Sequence, residues 1–333
     1  MKAWVVREWG DPDSMTFEDV PEGDPPADML RLKIEAASIN FFDSLMIAGT
    51  YQTKPDFPFT PGGEVSGTVV SAPADSGFAA GDRVSAGFAV NRILHGGYAE
   101  YADTLPMLAR KIPDSMSFED AAAFYIVYQT GYFALHRRAK LEPGEVLLVH
   151  GGAGGTGTAT IQLGKAAGAT VIATAGSDEK VELCRQLGAD HAINYKTQDF
   201  AEEVNRITDR AGADVVFDPV GGDVYDRSTK CIAFEGRIVI IGFTSGRIPE
   251  ARANHVLVKN YSVVGLHWGA YMFRNPALIA DATVELYRLY EEGRIKPHIS
   301  ATYPLAEAQT ALKAVAGGGT TGKVLLTPNN KSR

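Results

Sequence analysis

The feature that most restricts this chain is a short apolar run, Val146-Leu147-Leu148-Val149-His150, followed by Gly152-Ala153-Gly154-Gly155-Thr156-Gly157. The run has the length of a buried strand, and helical spacing follows over 154–167, closed by Gly168. A Gly-x-Gly-x-x-Gly pattern is weak alone, but between a strand and a helix it has a physical purpose. The turn is tight, a pyrophosphate must reach the backbone N–H groups, and the helix must lie close to the sheet. The helix N-terminus adds its partial positive charge. The rhythm continues beyond the loop, with strands expected at 170–174, 191–194, 214–217 and 237–241 and helices at 178–187 and 200–208. Continuous apolar strands alternating with helices predict a parallel sheet covered on both faces. The expected ligand is a dinucleotide; a glycine-rich turn without a ligand is the alternative.

The end of the second strand discriminates between nicotinamide cofactors. An NAD site places Asp or Glu there, about 20 residues past the glycines, to hold the ribose 2′-OH. Here the strand ends Thr174-Ala175-Gly176-Ser177, and Lys180 follows within one helical turn. A hydroxyl and an ammonium suit a 2′-phosphate, which a carboxylate would repel, so NADPH is predicted. Asp178 and Glu179 fall in the first helical turn, where acids favour the helix dipole. Lys180 taken by itself reads equally as a solvated helix lysine.

The regions flanking this α/β core differ in character. Up to about residue 120 the chain shows compact or alternating apolar runs at 1–7, 29–36, 64–71 and 83–86, separated by Pro25-Pro26, Pro61-Gly62-Gly63, Gly81-Asp82 and Gly96-Gly97. Irregular, mostly antiparallel β structure follows, as in a partly closed barrel. A helix is expected over 119–136, a strand over 261–266, helices over 276–292 and 304–315, and a last strand over 323–327. At 333 residues, two domains are expected. The net charge of −8 argues against a nucleic-acid surface. The charged N-terminus is not a secretory signal, and no apolar stretch approaches the roughly 20 residues of a membrane helix. Two cysteines, Cys184 and Cys231, exclude a disulfide framework, read as buried filler and fit a cytoplasmic setting.

Taken in order, a series of segments resembles the zinc-free quinone oxidoreductase branch of the medium-chain dehydrogenase/reductase family, over essentially the whole chain. They are Asn40-Phe41-Phe42-Asp43, Gly49-Thr50-Tyr51, Pro61-Gly62-Gly63-Glu64-Val65-Ser66-Gly67 and Gly81-Asp82-Arg83-Val84. Gly96-Gly97-Tyr98-Ala99-Glu100-Tyr101, the glycine loop and Gly322-Lys323-Val324-Leu325-Leu326 complete the series. The resemblance implies a Rossmann-type cofactor domain, 121–264, inserted in a GroES-like, mostly β catalytic domain formed by 1–120 and 265–333, with cofactor between them. It implies that Asn40 and Thr130 hold the nicotinamide end, that Ser177, Lys180 and Tyr195 surround the 2′-phosphate, and that Gly242, Phe243, Thr244 and Lys323 make further cofactor contacts. It also implies a homodimer paired through the strand at 261–266. Two departures are Gly151-Gly152 where many relatives have alanines, and Gln129, where apolar residues are frequent.

A zinc enzyme of this kind needs an early thiolate and a His after it, and a structural zinc lobe needs four cysteines. The first cysteine here is Cys184, and Asn40 and Phe41 occupy the early slot. His95, His136, His150, His191, His255, His267 and His298 are scattered without ligand spacing; His150 reads as packing, and His255 and His298 as surface residues. No metal is expected. Without a Lewis acid, an already electrophilic acceptor suits hydride transfer best: a quinone or an α,β-unsaturated carbonyl compound. Tyr51 is the candidate proton donor, or else an amphipathic pocket wall. Asn40 reads as a cofactor contact or as a helix cap paired with Asp43. Tyr125, Tyr128 and Trp268 are candidates to face substrate. An enoyl thioester reductase, with Arg92 or Arg274 holding a coenzyme A phosphate, and a non-catalytic NADPH-binding protein are the rival readings.

Overall fold

The computed structural model describes residues 1–88 and 96–328; Arg92 and His95 lie outside them. The chain divides into two compact units, Met1–Ile126 with Pro297–Arg333, and Val127–Lys296.

The first unit opens with a two-stranded pair, β1 (Lys2–Val5) and β2 (Thr16–Asp19). Its main strands are β3 (Leu30–Ile39), β4 (Glu64–Ser71), β5 (Arg83–Gly87), β6 (Tyr101–Thr104) and β7 (Ala109–Lys111). The sequence alternates along β3: Leu30, Leu32 and Ile34 are buried in the core while Lys33 is exposed. Arg31, on the opposite face, is also buried, and a bidentate pair with Asp103 at 2.9 and 2.8 Å makes that tolerable. Its helices in this stretch are α1 (Phe41–Ile47) and α2 (Phe118–Ala122); α3 (Tyr125–Tyr132), which runs into a π-helical stretch, Phe133–Ala139, passes into the second unit after Ile126. One helix was expected over 119–136. It is broken near Phe124 because the Glu64 carboxylate accepts from Ile126 N–H at 2.6 Å and starts a new N-terminus there.

The second unit alternates as its periodicity predicts. Its strands are β8 (Val146–Val149), β9 (Thr170–Ala175), β10 (His191–Asn194), β11 (Ala213–Asp218), β12 (Ile232–Ile240) and β13 (Ser262–Gly265). Between them run α4 (Gly155–Ala166), α5 (Asp178–Gln186), α6 (Phe200–Ile207), α7 (Gly222–Ser228) and α8 (Ala253–Lys259). All pairings are parallel, in the order β10-β9-β8-β11-β12-β13. Connections leave to one side from β8 and to the other from β11, so a crevice opens beyond the carboxyl ends of these two neighbours. Leu147, Leu148, Val149, Ile172, Val215, Val216 and Phe217 are sealed completely, as strands covered on both faces should be.

A short α9 (Tyr271–Arg274) and a long α10 (Pro276–Glu291) close this unit. The expected return to the first domain at residue 265 therefore falls at 297 instead. Polar contacts explain the difference. Gln129 donates to Ile279 O and Thr283 Oγ1 of α10, and Gln162 exchanges bonds with Lys296 N–H and C=O. The unusual Gln129 is thus accounted for by α10. The chain re-enters the first unit as β14 (Ile299–Pro304), α11 (Ala308–Ala316) and β15 (Lys323–Thr327). There the seven-stranded sheet runs β14-β15-β3-β4-β5-β7, with β6 also paired to β3.

Candidate functional site

The glycine loop makes the expected tight turn and sets its helix close to the sheet. Gly151 is left-handed at φ +60°, and Gly154 N–H closes the turn on Gly151 O at 2.9 Å. A Cβ on Gly157 would stand 2.2 Å from Gly151 O and 2.8 Å from Gly152 Cα, so the helix start could not lie against the strand end. A Cβ on Gly152 would meet Cys184 Sγ at 2.9 Å and Ala173 Cβ at 3.0 Å, which accounts for glycine where alanine is frequent. Gly154, the N-cap of α4, is exposed, and a Cβ there would meet Gly151 O alone, at 3.3 Å. With Gly155, Thr156 and Gly157, it leaves the first-turn N–H groups of a 12-residue helix open to an anion.

Beside it, the carboxyl end of β9 is held to the loop by Gly152 N–H donating to Thr174 O at 2.9 Å. Ser177 caps α5, its Oγ accepting from Lys180 N–H at 3.3 Å, and the hydroxyl hydrogen stays available as a donor. Tyr195, half exposed at the end of β10, lies across Gly176: a Cβ there would be 2.6 Å from its hydroxyl oxygen. Ser177 and Tyr195 thus border one carboxylate-free edge, with Lys180 in the first turn of α5. Asp178 is turned aside, accepting from Asn194 Nδ2 at 2.7 Å. On the other side of the crevice, Gly242, Phe243 and Thr244 follow β12, and Thr244 N–H is fixed to Pro219 O at 3.1 Å. This cradle fits a phosphorylated dinucleotide in shape and charge.

His150, immediately ahead of the loop, is fully buried between Thr174 Oγ1 at 3.0 Å and Ser228 Oγ at 2.8 Å. Ser228 uses its own hydrogen on Val224 O, so His150 Nε2 donates to Ser228 and Nδ1 accepts from Thr174. Burial lowers its pKa to about 3, which keeps the ring neutral. His255 and His298 are half-buried rather than free on the surface, and they contact Tyr261 and Thr321.

The first unit gathers a second cluster. Asn40 occupies the N-cap of α1 and forms a capping box with Asp43, whose carboxylate accepts from Asn40 N–H at 2.8 Å. Its side chain also meets two charges: Lys323 Nζ donates to Oδ1 at 2.6 Å, and Nδ2 donates to Glu64 Oε2 at 3.1 Å. The capping position therefore leaves the Asn40 side chain to these two charges. Asp43 accepts further bonds from Tyr98 O–H at 2.9 Å and Gly63 N–H at 3.3 Å. Complete burial nevertheless pushes its pKa up to about 6. Tyr51 is stacked on Phe42 with ring centres 5.5 Å apart. Burial and then the Asp43 charge raise its pKa, so it remains a protonated phenol able to donate. Near these residues Met46, Pro55, Phe59 and Phe88 line a small cavity of about 20 Å³ with Gly62 and Gly63, and no charged side chain borders it among the described residues.

Glu64, Asp43 and Tyr98 escaped the sequence reading as site residues, although all three lie in segments that carry the resemblance. A carboxylate opening an apolar strand was the available signal, since a buried charge requires a partner. Thr130 is buried on α3. Tyr128, a candidate to face substrate, is buried, and its hydroxyl donates to Gln162 Oε1 at 3.1 Å. Tyr125 and Trp268 are buried as well, and Arg274 is exposed at the end of α9. Among the described residues, no three His, Cys, Asp or Glu side chains gather as a metal site. No helix among them is long and apolar enough to cross a membrane.

Two family profiles match the chain, one described as an alcohol dehydrogenase GroES-like domain over residues 26–114 and one as a zinc-binding dehydrogenase over 155–281. Quinone oxidoreductase-like protein 2 of Bos taurus is 40% identical over 301 residues, 89% of this chain and 84% of that protein. Human quinone oxidoreductase is 30% identical over 333 residues, covering 98% of this chain and 97% of its own. The crystal structure of Escherichia coli quinone oxidoreductase complexed with NADPH superposes with a TM-score of 0.90 at 29% identity, over 98% of this chain and 100% of that one.

Proposed function

This chain belongs to the quinone oxidoreductase branch of the medium-chain dehydrogenase/reductase superfamily, and from that we propose that it transfers a hydride from NADPH to a quinone or an α,β-unsaturated carbonyl compound without a metal. The observation that carries the reading is the cradle: a glycine turn with open amides beside a strand edge that offers Ser177, Lys180 and Tyr195 and no carboxylate.

Reduced nicotinamide, when bound, supplies the hydride. The N–H groups of Gly155, Thr156 and Gly157, with the close turns at Gly152 and Gly154, would hold the pyrophosphate; Ser177, Lys180 and Tyr195 the 2′-phosphate; Gly242, Phe243 and Thr244 the middle of the molecule; and Asn40 and Thr130 its nicotinamide end. Lys323 Nζ finds acceptors within the protein in Asn40 Oδ1, Ile39 O and Glu64 Oε2, so it serves the cofactor through Asn40. Tyr51 holds a proton at its hydroxyl and can give it to, or orient, the oxygen of an acceptor that gains negative charge. Zinc independence rests on the donor set: Asn40 and Phe41 stand in the early slot where a thiolate would be needed, and the first cysteine is Cys184.

The proposal includes a homodimer in the cytoplasm. β13 is the edge strand of its sheet, and Leu257 and Val258 shortly before it in sequence and Phe234 on the neighbouring β12 are 76%, 78% and 70% exposed. Initial rates with NADPH and NADH in parallel, over quinones, short enones and enoyl thioesters, test the activity. Turnover of quinones or enones with NADPH preferred is expected. Thioester turnover alone would transfer the assignment to an enoyl reductase, tight NADPH binding without turnover to a non-catalytic protein, and a preference for NADH would remove the cofactor assignment.

A further inference from the structure

Glu64 is assigned no contact with the cofactor above, yet it joins Asn40 and Lys323. It is fully buried at the start of β4. One carboxylate oxygen faces Asn40 Nδ2 at 3.1 Å and Lys323 Nζ at 3.4 Å, and the other accepts from Ile126 N–H at 2.6 Å in the first turn of α3. Lys323 in turn donates to Asn40 Oδ1 at 2.6 Å. An ammonium can only donate and an ionised carboxylate can only accept. Between the two, the Asn40 amide has one orientation, with oxygen toward Lys323 and nitrogen toward Glu64. The flip of an asparagine is usually ambiguous; here the partners decide it. One Nδ2 hydrogen is engaged by Glu64. The other has Ser38 O at 3.5 Å, the limit of a hydrogen bond, so it remains available to a ligand.

We propose that Glu64 is a positioning residue that fixes Asn40 as a hydrogen-bond donor toward a carbonyl oxygen at the nicotinamide end of the site, and anchors the start of the helix bearing Thr130. Two ligand groups share that chemistry, the nicotinamide carboxamide and the carbonyl of the acceptor. The inference rests on the functional reading given above, in which Asn40 serves that end.

The test compares wild type with Glu64→Gln by fluorescence titration of NADPH and of 2′,5′-ADP, by acceptor kinetics, and by thermal melting. 2′,5′-ADP carries the phosphorylated ribose but no nicotinamide, so its affinity should be unchanged. If the carboxamide is the partner, the Kd for NADPH rises about tenfold, the worth of one oriented hydrogen bond. If the acceptor is the partner, NADPH affinity holds and kcat/KM for the quinone falls about tenfold. A Glu64→Gln variant that matches wild type in both overturns the inference, as does one in which 2′,5′-ADP and NADPH affinities fall together. The double variant E64Q/K323Q removes both charges; its return to wild-type values would mean that Glu64 merely balances Lys323, and would also overturn it. Should Glu64→Gln fail to fold, Asn40→Asp keeps an acceptor for Lys323 but has no N–H to give, and must show the same selective loss. Wild-type protein without affinity for NADPH would overturn the functional reading and this inference with it, whereas normal wild-type binding beside an unaffected variant overturns the inference alone.

Discussion

Acidification should loosen the cofactor-binding unit through His150, by an amount the structure allows to be worked out. The ring is buried completely, and its neutral form is fixed by Thr174 on one nitrogen and Ser228 on the other. Its pKa stands at about 3 against an ordinary 6.5. Because the folded value is depressed, the unfolded chain binds the proton more readily throughout that interval. Stability therefore falls as the pH drops below 6.5 and goes on falling to about 3. At about 1.4 kcal/mol per pH unit, the interval from 6.5 to about 3 is worth at most about 5 kcal/mol, a large part of the stability of an ordinary domain. Buried Asp43 works in the opposite sense. Its pKa is raised from 3.8 to about 6, so its contribution weakens as pH rises through that range, and total stability against pH mixes the two. Subtraction isolates the histidine. Urea denaturation of wild type and His150→Asn between pH 4 and 7.5 should give a difference in unfolding free energy, wild type minus variant, that falls by up to ~1.4 kcal/mol per unit below pH 6.5 and is flat above it. A pH-independent difference would refute the reasoning, since it would mean that His150 gains or loses its proton equally in both states.

Gly157→Ala forces a Cβ to within 2.2 Å of backbone oxygen, which no side-chain rotation relieves, and NADPH affinity measured by fluorescence should fall more than tenfold; normal affinity would show that the loop does not carry the pyrophosphate. Lys180→Ala should lower kcat/KM for NADPH by about tenfold or more while leaving NADH unaffected, as expected for one charge-assisted contact; equal losses with both cofactors would return Lys180 to the solvent. Tyr51→Phe should reduce turnover by about 10²-fold at constant NADPH affinity, and undiminished turnover would make Tyr51 a pocket wall. Leu257→Asp should convert the proposed dimer to monomer in size-exclusion chromatography with light scattering; an unchanged mass would place the interface elsewhere or show that none exists.

Much of the second unit was legible because its signals are local. Continuous apolar strands, helices closed by glycine, and a glycine loop at a strand–helix joint each act within a few residues, and the parallel sheet follows. Ser177 and Lys180 became candidates the same way, from the spacing beyond the loop. The split of 119–136 into separate helices could not, because a carboxylate 62 residues away starts the second one. The place of α10 was hidden for a similar reason: hydrogen bonds from Gln129 and Gln162, not composition, bind residues up to 296 to the Rossmann-like unit.

By itself, then, the sequence determined the alternation of elements, the anion-binding turn and the lack of an acid at the ribose edge. Periodicity and turn chemistry are properties of neighbouring residues, and they survive in any context. The tertiary structure alone decided that Asn40, Glu64 and Lys323 meet, that Asp43 is shielded with Tyr98, and that His150 stays neutral. Those outcomes depend on which charges are brought together out of water from distant parts of the chain, and burial makes each partner's presence decisive.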